Sequence, residues 1–144
     1  MTSYISADLR RIVKNRAHGM CEYCLIHERD TFLGCQVDHI ISEKHGGPTD
    51  EENTAFACTC CNRAKGSDIG SIDMTTGNFI RLYNPRNDRW PDHFALQGVS
   101  IVPLTPMGEV TARLLGFNVY ERLAERHELQ EHGRYPPPEA SGVT

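Results

Sequence analysis

Four of the six cysteines in this chain repeat one spacing, Cys21-x-x-Cys24 and Cys58-x-x-Cys61. Each pair sets two thiolates on one short turn at the bite of a tetrahedral ion, and two such turns supply four soft ligands. Four ligands close the shell, which assigns the ion to structure and makes zinc the expected metal. Asp38-His39 and Asn53 lie within the enclosed span, and Asn62 directly follows the last cysteine. Folding both pairs onto one ion brings these residues into the loop that the ion closes, so the metal frames a second, more reactive cluster. Taken singly, each has a plainer reading: an Asp that caps a turn, an Asn within a turn, an Asn that caps a helix. Cys60 does not match the x-x spacing, and with Cys35 it is expected to be a packing residue.

The elements that must deliver this cluster can be read from pattern. Leu9, Ile12, Val13, Arg16 and Ala17 recur at helical spacing over residues 6–17, with Ser6 as N-cap and His18-Gly19 as the stop. Residues 31–37 are rich in β-formers and read as a strand ending at Asp38-His39. Residues 42–53, with Gly46-Gly47-Pro48 and Asp50-Glu51-Glu52, read as a surface loop; 54–57 reads as a second strand, and Cys61 to Lys65 as the opening of a helix. Beyond residue 67, β-like runs flank Thr75-Thr76-Gly77 and Gln97-Gly98, which predicts small hairpins. Thr105-Pro106 opens a helix, and Asn118 with Glu121 has the pattern of a capping box for a second one. The domain reading is a core over 1–70, an α+β extension packed on it over 71–138, and a flexible tail over 139–144.

With 144 residues, one domain with an elaboration is the simplest organisation. Hydrophobic residues at 39% and charged residues at 24% are ordinary for a globular protein, and no apolar run approaches the roughly 20 residues of a membrane span. The first ten residues lack a basic leader followed by an apolar stretch, so a reducing cytoplasm is expected, where paired cysteines hold metal. A net charge of -4 argues against bulk attraction to nucleic acid, so any basic face must be local. The candidates are Arg10, Arg11, Lys14 and Arg16, then Arg63 and Lys65, then Arg81, Arg86 and Arg89.

Several stretches together resemble the HNH endonuclease family, in its four-cysteine branch. They are Cys21-Glu-Tyr-Cys24, Val37-Asp38-His39-Ile40-Ile41, Gly46-Gly47, Glu52-Asn53-Thr54-Ala55, and Cys58-Thr-Cys-Cys61-Asn62-Arg63-Ala64-Lys65-Gly66. They cover roughly the first half of the chain, and the second half looks like the extension of some small bacterial members. The resemblance implies an α+β fold: a small ββα-metal core with a four-cysteine zinc site, followed by hairpins and two helices. It implies a metal-dependent nuclease of bacterial or phage origin acting on double-stranded DNA, with no membrane partner. Oligomeric state is left open.

Phosphodiester hydrolysis requires an activated water, a metal on the scissile phosphate and stabilisation of the leaving oxygen. By the resemblance, His39 is the general base, and Asp38 with Asn62 holds one divalent cation through oxygens, Mg²⁺ or Mn²⁺. Asn53 ties the loop to the backbone and orients His39. Lys65, and less strongly Arg63, would contact phosphate. The family often has His where this chain has Asn62, a swap that favours hard cations. The rival reading is a zinc-stabilised module that binds nucleic acid without cleaving it. A metalloprotease helix is excluded because His127-Glu128 is followed by Glu131 in place of the second His. A zinc deaminase is excluded because no His has Glu two residues later. His93, near Trp90 and Arg89, lies in a stretch that could stack on nucleic acid, although core packing is the commoner role.

Overall fold

A computed structural model describes residues 4–144 of the chain. Helix α1 (Ala7–Arg16) starts where Ser6 accepts a hydrogen bond from Leu9 N at 3.0 Å, and it buries Val13. Arg16, one of its apolar-spaced positions, donates to the Glu51 and Thr54 carbonyls, both at 2.8 Å, and so ties the helix to the start of the strand that ends at Cys58. The first pair follows on a turn closed by Cys21 N to Ile26 O and Leu25 N to Cys21 O. Strand β1 (Cys35–His39) pairs antiparallel with β2 (Thr54–Cys58), placing Cys35 opposite Cys58 and His39 opposite Thr54. All five β2 residues are buried, as expected of a strand covered on both faces. The first strand begins later than its β-formers suggest. Thr31 Oγ1 donates to Glu28 O and accepts from Gly34 N, which closes a turn and leaves Phe32 99% exposed.

Helix α2 (Thr59–Lys65) completes the strand, strand, helix core, with Cys58 at its N-cap and Gly66 past its end at φ 51°. The hairpin of β3 (Gly70–Ile72) and β4 (Phe79–Arg81) comes next, then the short α3 (Trp90–His93) and the hairpin of β5 (Phe94–Gln97) and β6 (Ser100–Pro103). Helix α4 (Pro106–Leu114) has Thr105 as N-cap, accepting from Gly108 N at 3.0 Å, and a proline in its first turn. The architecture is α+β, with the described strands in two-stranded antiparallel sheets.

Two expectations need correction. Helix α5 (Tyr120–Glu131) starts after Val119 without a side-chain cap, because the Asn118 amide is engaged with both backbone groups of Ile101, at 3.0 and 2.8 Å. The segment expected to be a loose tail forms a 3-10 turn over Pro138–Gly142 with Ala140 buried, and Glu139 takes Arg29 through two oxygens at 2.7 and 3.0 Å.

The core joins the two halves of the sequence. Tyr23, in the first cysteine turn, meets Tyr83 edge-on, and Tyr83, Phe94 and Phe117 continue the aromatic contacts towards α4 and α5. Among the described residues no helix is long and apolar enough to cross a membrane.

Candidate functional site

The cysteines of the two pairs converge. The sulfurs of Cys21, Cys24, Cys58 and Cys61 all lie within 4.8 Å of one another and are buried, with Cys24 and Cys58 at 3.7 Å. A metal–sulfur bond of about 2.3 Å in a tetrahedron puts its sulfurs about 3.8 Å apart, so the cluster has the size of a four-thiolate zinc site. Hydrogen bonding from Cys21 pulls the Cys24 thiol down, whereas burial pushes that of Cys61 up. The Arg122 guanidinium, from α5, stands 3.2 Å from Cys61 Sγ and 3.8 Å from Cys58 Sγ. Cys35 is buried, as a packing residue should be, and burial raises its thiol. Cys60 is exposed, so its expected packing role is corrected; it sits on the outer face of α2.

Asp38, His39 and Asn62 line one open cleft of about 610 Å³, together with Val37, Glu43 and Lys44. Asp38 is 4% exposed, with the Tyr23 hydroxyl donating to Oδ2 at 2.9 Å and the Lys65 ammonium 3.2 Å from each oxygen. Burial pushes its carboxyl up, against the lowering pull of Lys65 and Tyr23. A carboxylate has about four lone-pair sites, so two hydrogen-bonded oxygens retain capacity for a cation. The Asn62 amide nitrogen donates to Gln36 Oε1, while no described residue donates to its oxygen in the cleft. A carboxylate and an amide oxygen on one cleft fit a hard divalent ion.

His39 Nε2 lies 2.8 Å from Thr49 Oγ1 and 3.4 Å from Glu43 Oε1, and Thr49 in turn donates to Glu43 at 3.2 Å. With Nε2 engaged by a carboxylate-backed pair, Nδ1 is the nitrogen left for other chemistry. Asn53 is 8% exposed; its oxygen accepts from Ile41 N at 2.9 Å and its nitrogen donates to the Ile41 and Pro48 carbonyls, both at 2.8 Å. Those bonds pin the loop after His39 to the start of β2. Gly47 is required there by space, since a Cβ would sit 1.7 Å from Ile41 O.

Lys65 is not placed to meet phosphate. It is 2% exposed, and its ammonium is spent on Asp38 and on His39 O at 2.9 Å, so the expected contact is replaced by an internal one that fixes the Asp-His step. Arg63 is exposed on α2 and Lys44 lines the cleft; neither pairs with an acid among the described residues. Most of the other basic candidates are paired within the chain, Lys14 with Glu28, Arg81 with Asp88 and Arg86 with Glu22. Sequence reasoning missed Tyr23, Glu43 and Thr49. The signal for Tyr23 was its place between the two cysteines of the first pair, and that for Glu43 its position four residues after His39.

The HNH endonuclease family model matches residues 21–68. No curated protein and no solved structure matches the chain. The matched segment runs from the first cysteine turn through β1, β2 and α2, and contains the four clustered cysteines and the cleft residues Asp38, His39 and Asn62. Over residues 21–68 the chain is similar to the HNH endonuclease family.

Proposed function

We propose that the protein is a metal-dependent endonuclease that hydrolyses DNA phosphodiester bonds, with zinc on the four cysteines as scaffold and Mg²⁺ or Mn²⁺ at the cleft. The observation that carries this reading is the gathering of Asp38, His39 and Asn62 on one open cleft inside the HNH segment. A divalent cation held by Asp38 and Asn62 would polarise the scissile phosphate and stabilise the leaving oxygen.

His39 takes the proton of the attacking water at Nδ1, and the Thr49–Glu43 pair on Nε2 holds the ring and supports the positive charge it acquires. Asn53 keeps the backbone after His39 in one conformation. Tyr23 and Lys65 hold the Asp38 carboxylate in place. Lys44, exposed in the cleft lining, and Arg63, exposed on α2 next to Asn62 in sequence, supply local positive charge to a chain of net charge -4.

The test is plasmid DNA incubated with the purified protein and Mg²⁺ or Mn²⁺. Nicked or linear product that EDTA abolishes supports the enzyme. Binding with no cleavage under either ion would favour the rival, a zinc-stabilised binding module.

A further inference from the structure

We propose that Arg122 is the counter-charge of the cysteine metal centre, a guanidinium carried in by the second half of the chain to hold the metal on its thiolates. The inference rests on the reading of the cysteine cluster as a zinc site. Four thiolates around a doubly charged ion leave net negative charge in a buried place, and buried charge is costly unless an opposite charge meets it. Arg122 is 9% exposed, and its Nη2 is 3.2 Å from Cys61 Sγ and 3.8 Å from Cys58 Sγ. Its other terminal nitrogen donates to Leu115 O at 2.8 Å, and the group lies against the Phe117 ring.

Arg126, one turn later on α5, supplies an internal comparison. It is buried as deeply, at 1% exposed, yet donates to the carbonyls of Val99 and Phe117 and to Asn118 Oδ1, with no sulfur contact. One arginine closes backbone carbonyls; the other faces the metal ligands. The first cysteine turn is gripped from the same half of the chain, by Tyr135 Oη to Cys24 O at 2.7 Å and Trp90 Nε1 to Tyr23 O at 2.9 Å. The extension therefore acts as the outer layer of the metal centre, and Arg122 is its charged member.

The experiment measures zinc content and zinc affinity, by competition with a chromophoric chelator, on full-length wild type and the variants Arg122→Met, Arg122→Lys and Arg126→Met. Circular dichroism reports folding. Wild type is expected to hold one zinc, and Arg122→Met to bind it about 10-fold or more weakly, the usual cost of losing a group that supports metal ligands. Arg122→Lys, which keeps the charge, is expected to stay within about threefold, and Arg126→Met to keep wild-type affinity even if less stable. If Arg122→Met does not fold, Arg122→Gln against Arg122→Lys decides, with only the uncharged variant expected to lose affinity. Equal zinc affinity in wild type and Arg122→Met, equal loss in Arg122→Met and Arg126→Met, or equal affinity in Arg122→Gln and Arg122→Lys would overturn the proposal. A wild type without zinc would overturn the zinc reading itself, and the proposal with it.

Discussion

The Tyr23 hydroxyl donates to Asp38 Oδ2 at 2.9 Å, so a residue inside the first cysteine turn touches the candidate cation ligand directly. The second turn reaches the same carboxylate through α2, whose Lys65 lies 3.2 Å from both oxygens. Scaffold and cleft are thereby coupled from both sides. Removing the zinc is expected to lower cleavage although no cysteine faces the cleft, and re-adding zinc to refolded protein should restore it. Tyr23→Phe isolates one arm of that coupling. It leaves a buried carboxylate oxygen short of a donor and is expected to cost about 1–3 kcal/mol in a urea titration.

Lys65→Met should be more severe. It strips the charge partner from a carboxylate that is 4% exposed, a change that costs about 3–5 kcal/mol when a buried pair is broken from one side. Asp38→Asn combined with Lys65→Met should recover part of that loss, because no uncompensated charge stays inside. A double-mutant cycle read by denaturant midpoint checks it; a double variant less stable than Lys65→Met would contradict the pairing.

Asn53→Ala removes an amide that makes three hydrogen bonds to Ile41 and Pro48. Leaving those part-buried backbone groups unmet is expected to cost about 1 kcal/mol, the low end for an unpaired group, and cleavage should fall more than stability does because His39 loses its fixed approach. Activity measured at a temperature where the variant stays folded separates the two effects.

The C-terminal latch gives a dependence on pH. The Arg29 guanidinium holds the Glu139 carboxyl down to about 2, against an ordinary value of 4.5. A depressed carboxylate stabilises the fold above its unfolded value, and the contribution drains away as pH falls from 4.5 towards 2. Wild type is therefore expected to be more stable than Glu139→Gln at pH 6, with the gap closing as pH falls below 4. A gap that does not change with pH would contradict the ion pair. The effect should be modest, because the pair is partly solvated.

The parts of the fold that were legible in the sequence are those fixed by local chemistry. Ser6 and Thr105 cap helices because a short hydroxyl side chain meets a free backbone N–H wherever the chain turns into a helix. The cysteine spacing specified the cluster because a metal turn is itself local. Long-range pairing was not legible. Nothing near Lys65 in sequence announces that its ammonium is buried against Asp38, 27 residues away. Asn118 carried a capping pattern, but β5–β6 packing offered its amide two backbone partners on Ile101, and a tertiary bond won over a local one. Nothing in the sequence around Arg122 and Arg126 shows that sulfur and carbonyl groups lie beneath them; only the folded chain does.

In the proposed reaction His39 activates water for phosphodiester hydrolysis. The most direct test of that role is plasmid cleavage by wild type and His39→Ala, side by side with Mg²⁺ or Mn²⁺, with zinc content and DNA binding measured on the same samples. His39→Ala is expected to keep its zinc and its DNA affinity while the cleavage rate falls by about 10²–10⁴-fold, the usual worth of a general base. Cleavage by His39→Ala at the wild-type rate would contradict that role.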